Sequence, residues 1–175
     1  MEWAEYSFDV LVSDADESYN PAASPAKIAI SIAEKKIQAV LDLNQVDLPK
    51  SIIIAADTIV VLDGEIIGKP VDRADAIGIL TRLSGKKHQV ITAVCVQDDQ
   101  KKVAFHDTTH VSFHALTSEQ INHYVDHYKP YDKAGAYAIQ EWIGVIGIQS
   151  IEGDFYNVMG LPVSRLVHTL KESFL

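Results

Sequence analysis

Cysteine is almost missing from this 175-residue chain. Cys95 is the only one, which excludes an internal disulfide and is compatible with a reducing cytoplasm. It lies in VITAVCVQ, a setting that suits a buried strand position better than a nucleophile. No apolar run approaches the ~20 residues that a membrane span needs, and the opening MEWAEYSFDV has neither a basic n-region nor a signal-like apolar segment. A basic excess is missing too. Lys and Arg number 15 against 24 Asp and Glu, a formal net charge of −9, whereas broad nucleic-acid binding wants a basic face. A phosphorylated small molecule is not excluded, but it then requires locally placed lysines, a metal ion, or both. There is no P-loop, no Gly-x-Gly-x-x-Gly and no Gly-x-Ser-x-Gly, so kinases, dinucleotide enzymes and serine hydrolases lose their usual support.

What is present is an ordinary globular composition, 47% hydrophobic and 22% charged, in a length that reads as one domain over residues 1–175. No repeat, low-complexity tract or linker interrupts it. FDVLVSD (8–14) alternates as a strand does. Residues 24–43 read as a helix with Ser24 as N-cap and Pro25 at its first position. Asp72 caps a second helix that Gly85 is suited to end. HQVITAVCV and VAFHDTTHVSFHAL are strands joined by the polar turn QDDQKK. TSEQINHYVDHY opens on a capping box. A strand near 143–149 and a helix from about 162 follow. The mixture implies an α/β (α+β) fold with a mixed, twisted sheet flanked by helices.

Within this frame, IIIAADTIVVLDGEIIGKP (52–70) is anomalous, because Asp57 interrupts a buried run and an unpaired carboxylate is costly there. Asp63-Gly64 suits a type I′ turn. With those two as the loop, Leu62 faces Glu65 and Thr58 comes opposite Lys69, while a bulge at Gly68 would bring Asp57 and Lys69 to one face. The plainer reading is a structural ion pair at a strand end. A second anomaly is Lys36, which shares a helical stripe with Ala29, Ile32, Ala39 and Val40. Either it snorkels past the core edge or it is aimed across a cleft at a phosphate. Lys36 and Lys69 with Glu17 and Asp57 form the constellation expected around a metal–polyphosphate ligand, since magnesium usually takes one or two carboxylates together with phosphate oxygens and water. His106, His110 and His114 share a strand face with Thr108 and Ser112, which reads as a solvated face rather than a metal site. His123 and His127 lack the glutamate of the zinc-protease motif and read as a surface pair.

The strings SDADES (13–18), AADTIVVLDGEIIGKP (55–70), LSGKKHQVITAV (83–94), YDKAGAYAIQ (131–140) and IEGDFYNVMGLP (151–162) resemble the Maf family, septum-formation-inhibitor-like nucleoside triphosphate pyrophosphatases. The resemblance implies an inosine-triphosphatase-like fold of two lobes around a cleft, hydrolysis of a nucleotide between its α and β phosphates, a divalent cation (magnesium or manganese), and a homodimer; the charge and the lack of a long apolar run point away from nucleic acid and membrane as partners. Carried over by motif, it implies Asp57 as base or metal ligand, Glu17 as substrate and metal ligand, and Lys36 and Lys69 as phosphate-binding residues. KAGAYAIQ is similar to the branch that prefers dTTP and UTP, with modified pyrimidine nucleotides as further substrates. Gln140, whose amide offers a donor and an acceptor, and Thr58 are then the specificity residues.

The family pattern opens with a strand and a Ser-x-Ser-Pro-Arg-Arg-like loop. This sequence begins at MEWAEYSFDV and contains no Ser-Pro-Arg-Arg. The expectation is an N-terminally truncated domain in which 8–14 is the family's second strand. A non-catalytic nucleotide-binding or regulatory protein is the alternative. Retention of Asp57, Lys36, Lys69 and Glu17 favours the enzyme, because a binder has no need of the base.

Overall fold

The computed structural model of the protein describes residues 1–12 and 14–175, with Trp3 described by its backbone alone. Five strands, β1 (Ile53–Leu62), β2 (Glu65–Ile67), β3 (Lys87–Gln97), β4 (Lys102–Phe113) and β5 (Ile148–Glu152), form one sheet in the order β2-β1-β3-β4-β5. Among the described residues, six α-helices accompany them: α1 (Pro25–Asp42), α2 (Arg73–Leu83), α3 (Ser118–Tyr128), α4 (Trp142–Gly147), α5 (Phe155–Val158) and α6 (Val163–Ser173). The α/β fold implied by the sequence is therefore the fold found. Its sheet is antiparallel rather than mixed; the turns joining β1 to β2 and β3 to β4 are too short for anything but a reversal at those two pairs.

The chain divides into two compact units. The first comprises residues 1–57, 92–107 and 160–175, the second residues 58–91 and 108–159. In the first unit, Leu166 and Leu170, one turn apart on α6, pack with Val94 and Val96 of β3 and Phe105 of β4. Ile52, Ile54 and Ala56 join that cluster. The pleat therefore turns Ile53, Ala55 and Asp57 to the opposite face of β1. In the second unit, Ala76, Ile79, Leu80 and Leu83 of α2 close with Ile121, Tyr124 and Val125 of α3 over Val60, Leu62, Val90, Val111 and Phe113. Each of these large apolar side chains contributes about 1.5–3 kcal/mol on burial.

Several local expectations hold. Pro25 opens α1, Asp72 accepts from Asp75 N at 2.8 Å, and Thr117 and Gln120 cap α3 reciprocally. Asp63 and Gly64 have φ of 52° and 86°, the left-handed pair of a type I′ turn, and Leu62 faces Glu65. Others do not. The β1–β2 ladder stops at Val60–Ile67, before the pairing of Thr58 with Lys69 and before the position where a bulge at Gly68 would have acted. Gly68 O accepts instead from Gly135 N at 3.2 Å, and Pro70 has no N–H to extend a ladder. Residues 8–12 and 14 form no strand, and Val10 and Val12 are 75% and 88% exposed; Ser13 lies outside the described residues. Alternation makes a strand only where a neighbouring strand takes up its backbone groups, and none in the sheet does so here. The strand expected near 143–149 starts only at Ile148, residues 142–147 being helical, the ambiguity inherent in a short apolar run.

Candidate functional site

In the first unit, α1 presents two consecutive lysines whose roles separate by 100° of helical rotation. Lys35, on the polar side, donates to Ser18 O at 2.6 Å and lies 3.3 Å from Asp16 Oδ2. Asp16 in turn accepts from Ser18 N at 2.9 Å and from Ser18 Oγ. Those bonds from Ser18, with Lys35 behind them, lower the Asp16 carboxyl to about 2. The loop Asp16-Glu17-Ser18 is thereby tied to α1, and Glu17 is delivered to the next lysine. Lys36 Nζ donates to Asp57 Oδ1 at 2.7 Å and lies 3.2 Å from Glu17 Oε1.

On its stripe of α1, Lys36 is thus an inward lysine. It is not snorkelling to solvent; its ammonium meets the carboxylate that interrupts β1. Asp57 is 9% exposed, and removing such a charge from water costs several kcal/mol before its partner offsets it. Burial on its own would lower the Lys36 ammonium, but the hydrogen bond and charge of Asp57, reinforced by Glu17, outweigh that and raise it above its ordinary value. Lys36 therefore remains a cation between two carboxylates across the physiological range. Glu17, Lys36 and Asp57 carry a formal charge of −1 together.

The second unit holds the other residues singled out by the sequence. Thr58 follows Asp57 in β1 and is half-buried, Lys69 is exposed in the segment after β2, and Gln140 is exposed in the turn before α4. The loop carrying KAGAYAIQ is held from several sides. Gly135 N donates to Gly68 O, next to Lys69. His88, 2% exposed, meets the Tyr137 hydroxyl at 2.8 Å through Nε2, and both rings stack edge-on against Phe113. Tyr124, fully buried, hydrogen-bonds to Glu141 and to Ala138 N. The histidines of β4 behave as a wet face: His106 is exposed and His110 is half-buried. Among the described residues no group of three or more His, Cys, Asp or Glu is gathered to cage a metal, and no helix is long and apolar enough to cross a membrane.

The family profile described as Maf-like protein matches residues 1–173. The chain belongs to the Maf family. Among relatives of this Maf chain, a dTTP/UTP pyrophosphatase of Bacteroides thetaiotaomicron is 46% identical over 159 residues, covering 91% of this chain and 81% of the relative. Those of Cytophaga hutchinsonii and Bacillus cytotoxicus are 42% and 43% identical. The first alignment covers 99% of this chain and 78% of its relative, the second 98% and 87%.

The divalent cation implied by Maf resemblance fits the donors in this chain. Glu17 and Asp57 supply hard carboxylate oxygens that converge on one cationic centre, the Lys36 ammonium. Two carboxylates completed by phosphate oxygens and water are the ligand set magnesium commonly takes. Sequence reasoning missed Lys35, Asp16 and Ser18, although a Lys-Lys pair on a helix facing an Asp-x-Ser turn was a usable signal. It also missed His88, Tyr124 and Tyr137, which look like ordinary core residues until their polar atoms are followed.

Proposed function

We propose that this Maf chain hydrolyses the pyrimidine nucleoside triphosphates dTTP and UTP, and modified pyrimidine nucleotides with them, to the monophosphate and pyrophosphate. The observation that carries the reading is the Lys36–Asp57 contact: a nearly buried carboxylate in a strand, directed by a lysine and flanked by Glu17. Asp57 takes a proton from the water that attacks the α-phosphorus. As the new P–O bond forms, the bond from the α-phosphorus to the oxygen bridging to the β-phosphorus breaks, and pyrophosphate leaves with that oxygen. Lys36 and Lys69 offset phosphate charge, which a site bearing two carboxylates otherwise repels. A divalent cation, when held by Glu17 and Asp57, supplies further charge neutralisation to the phosphates. Thr58 and Gln140 select the base, the glutamine amide matching the O4 acceptor and N3–H donor of thymine and uracil.

The names of the relatives support the substrate class, and the KAGAYAIQ segment supports the pyrimidine preference. A working homodimer in the cytoplasm rests on the family resemblance. The net charge of −9 supports a small nucleotide rather than nucleic acid or a membrane surface as partner. Pyrophosphate release from dTTP in magnesium or manganese tests the reading directly. Nucleotide binding without release would instead mark a non-catalytic nucleotide-binding protein.

A further inference from the structure

We infer that the Tyr124 hydroxyl is a positioning residue for Gln140, and so sets how well the protein tells thymine or uracil from cytosine. The inference rests on the reading of Gln140 as the base-selecting residue.

A glutamine side chain offers one acceptor and an NH₂ donor. In one orientation it matches the O4 and N3–H edge of thymine or uracil. Turned over, it matches the N4 amino group and N3 of cytosine with as many hydrogen bonds. The residue type alone therefore does not discriminate between these bases; the backbone from which the amide projects has to be held.

Gln140 is itself exposed, and the means of holding it lie on either side in the chain. Two residues before it, Ala138 N donates to the Tyr124 hydroxyl at 3.2 Å. One residue after it, the Glu141 carboxylate accepts a hydrogen bond from the same hydroxyl. A single phenol oxygen thus closes a bridge across Ala138-Ile139-Gln140-Glu141. Two backbone bonds tighten the segment, Glu141 N donating to Ala138 O at 3.1 Å and Gly144 N to Glu141 O at 2.9 Å. The phenol has little freedom of its own. Tyr124 is fully buried on α3, and its ring stacks on Tyr128 with centroids 5.0 Å apart. The far side of the Glu141 carboxylate faces Lys133 Nζ at 4.0 Å, so the acceptor is constrained as well. Bonds to charged acceptors are among the stronger ones. Nothing in a core of α2 and α3 demands a hydroxyl at this position, since phenylalanine would fill the same volume.

The experiment compares kcat/KM for dTTP and dCTP in the full chain with magnesium, for wild type, Tyr124→Phe, Gln140→Leu and the double variant. Tyr124→Phe keeps the ring and its stacking while removing the bridge. The expected result is a roughly tenfold fall in the dTTP:dCTP ratio, carried by a higher KM for dTTP with kcat changed much less, as for lost binding discrimination. The double variant should be no worse than Gln140→Leu, because the two act through one contact. Glu141→Gln, which keeps an acceptor for the phenol, should retain the ratio, and Glu141→Ala should lose it. That pair carries the test where Tyr124→Phe fails to fold. An unchanged ratio in Tyr124→Phe or in Glu141→Ala, alongside an altered one in Gln140→Leu, would show that Tyr124 only packs and overturn the inference. An unchanged ratio in Gln140→Leu would overturn the reading of Gln140 and the role of Tyr124 with it.

Discussion

Lys36 of α1 and Asp57 of β1, 21 positions apart in sequence, are joined by a 2.7 Å hydrogen bond between Nζ and Oδ1. The pair explains why each breaks its own element's apolar pattern. A carboxylate 9% exposed is tolerated in β1 because an ammonium reaches it, and an ammonium is tolerated on the inner stripe of α1 because two carboxylates receive it. Leaving the Asp57 carboxylate without its ammonium is more damaging than removing both charges. Lys36→Met is expected to lower stability by about 2–3 kcal/mol, with part of that loss recovered in Lys36→Met/Asp57→Asn. Urea unfolding of the four proteins in the cycle measures the coupling, and simple additivity would show that the bond contributes little.

Asp57→Asn preserves shape and some hydrogen bonding but removes the base. Turnover of dTTP should fall by roughly two orders of magnitude or more, while the unfolding midpoint changes modestly. Steady-state pyrophosphate release by the purified variant checks this. Near-normal turnover would remove Asp57 from the chemistry.

Gln140→Leu retains the volume of the side chain and deletes both hydrogen-bonding groups. The preference for dTTP and UTP over dATP and GTP should be blunted about tenfold or more, because a buried polar edge of the base is left unpaired. A substrate panel on wild type and variant reads it. Purines outperforming pyrimidines in the wild type would contradict the proposed selectivity at its root.

His88 gives a prediction about pH. Burial pushes its imidazole down from 6.5 to about 4, so the folded protein takes up the proton later than the unfolded chain does as pH falls. A group with a depressed folded value contributes stability above its unfolded value, and that stability is lost as pH falls through the window between 6.5 and 4. The full effect is on the order of 3 kcal/mol. His88→Gln keeps a polar partner for Tyr137 but does not titrate, so its stability should vary less across that window than the wild type's. Parallel slopes for the two proteins in chemical unfolding from pH 4 to 7 would refute the assignment.

Gly144→Ala tests the close approach of α4 to the segment before it. A Cβ at this position would lie 1.8 Å from Ile139 O, a backbone atom that moves only with its chain. Destabilisation of about 2 kcal/mol or more is expected, together with weakened dTTP discrimination, since Ile139 adjoins Gln140. A variant as stable as the wild type would mean that the segment relaxes freely.

Much of this was already present in local sequence. Pro25, Asp72 and the Thr117–Gln120 pair mark helix starts because caps act within one turn, and Asp63-Gly64 defines its hairpin because only a few residues accept two successive left-handed conformations. Asp57 and Lys36 stood out because each contradicts the periodicity around it. That Lys36 is the partner of Asp57, and Glu17 a third member, was decided only by tertiary structure, since nothing local brings a helix, a strand and a loop to one point. Tertiary structure also decided that residues 8–12 form no strand and that 142–147 are helical, because pairing and packing outweigh propensity in short segments. It decided, too, that Gly68 O goes to Gly135 rather than to a longer β2, and that Tyr124, apolar by its position on α3, directs its one polar atom at both sides of Gln140. Sequence determines which groups must find partners. The fold determines which partners they find, because a hydrogen bond depends on distance in space and not on separation along the chain.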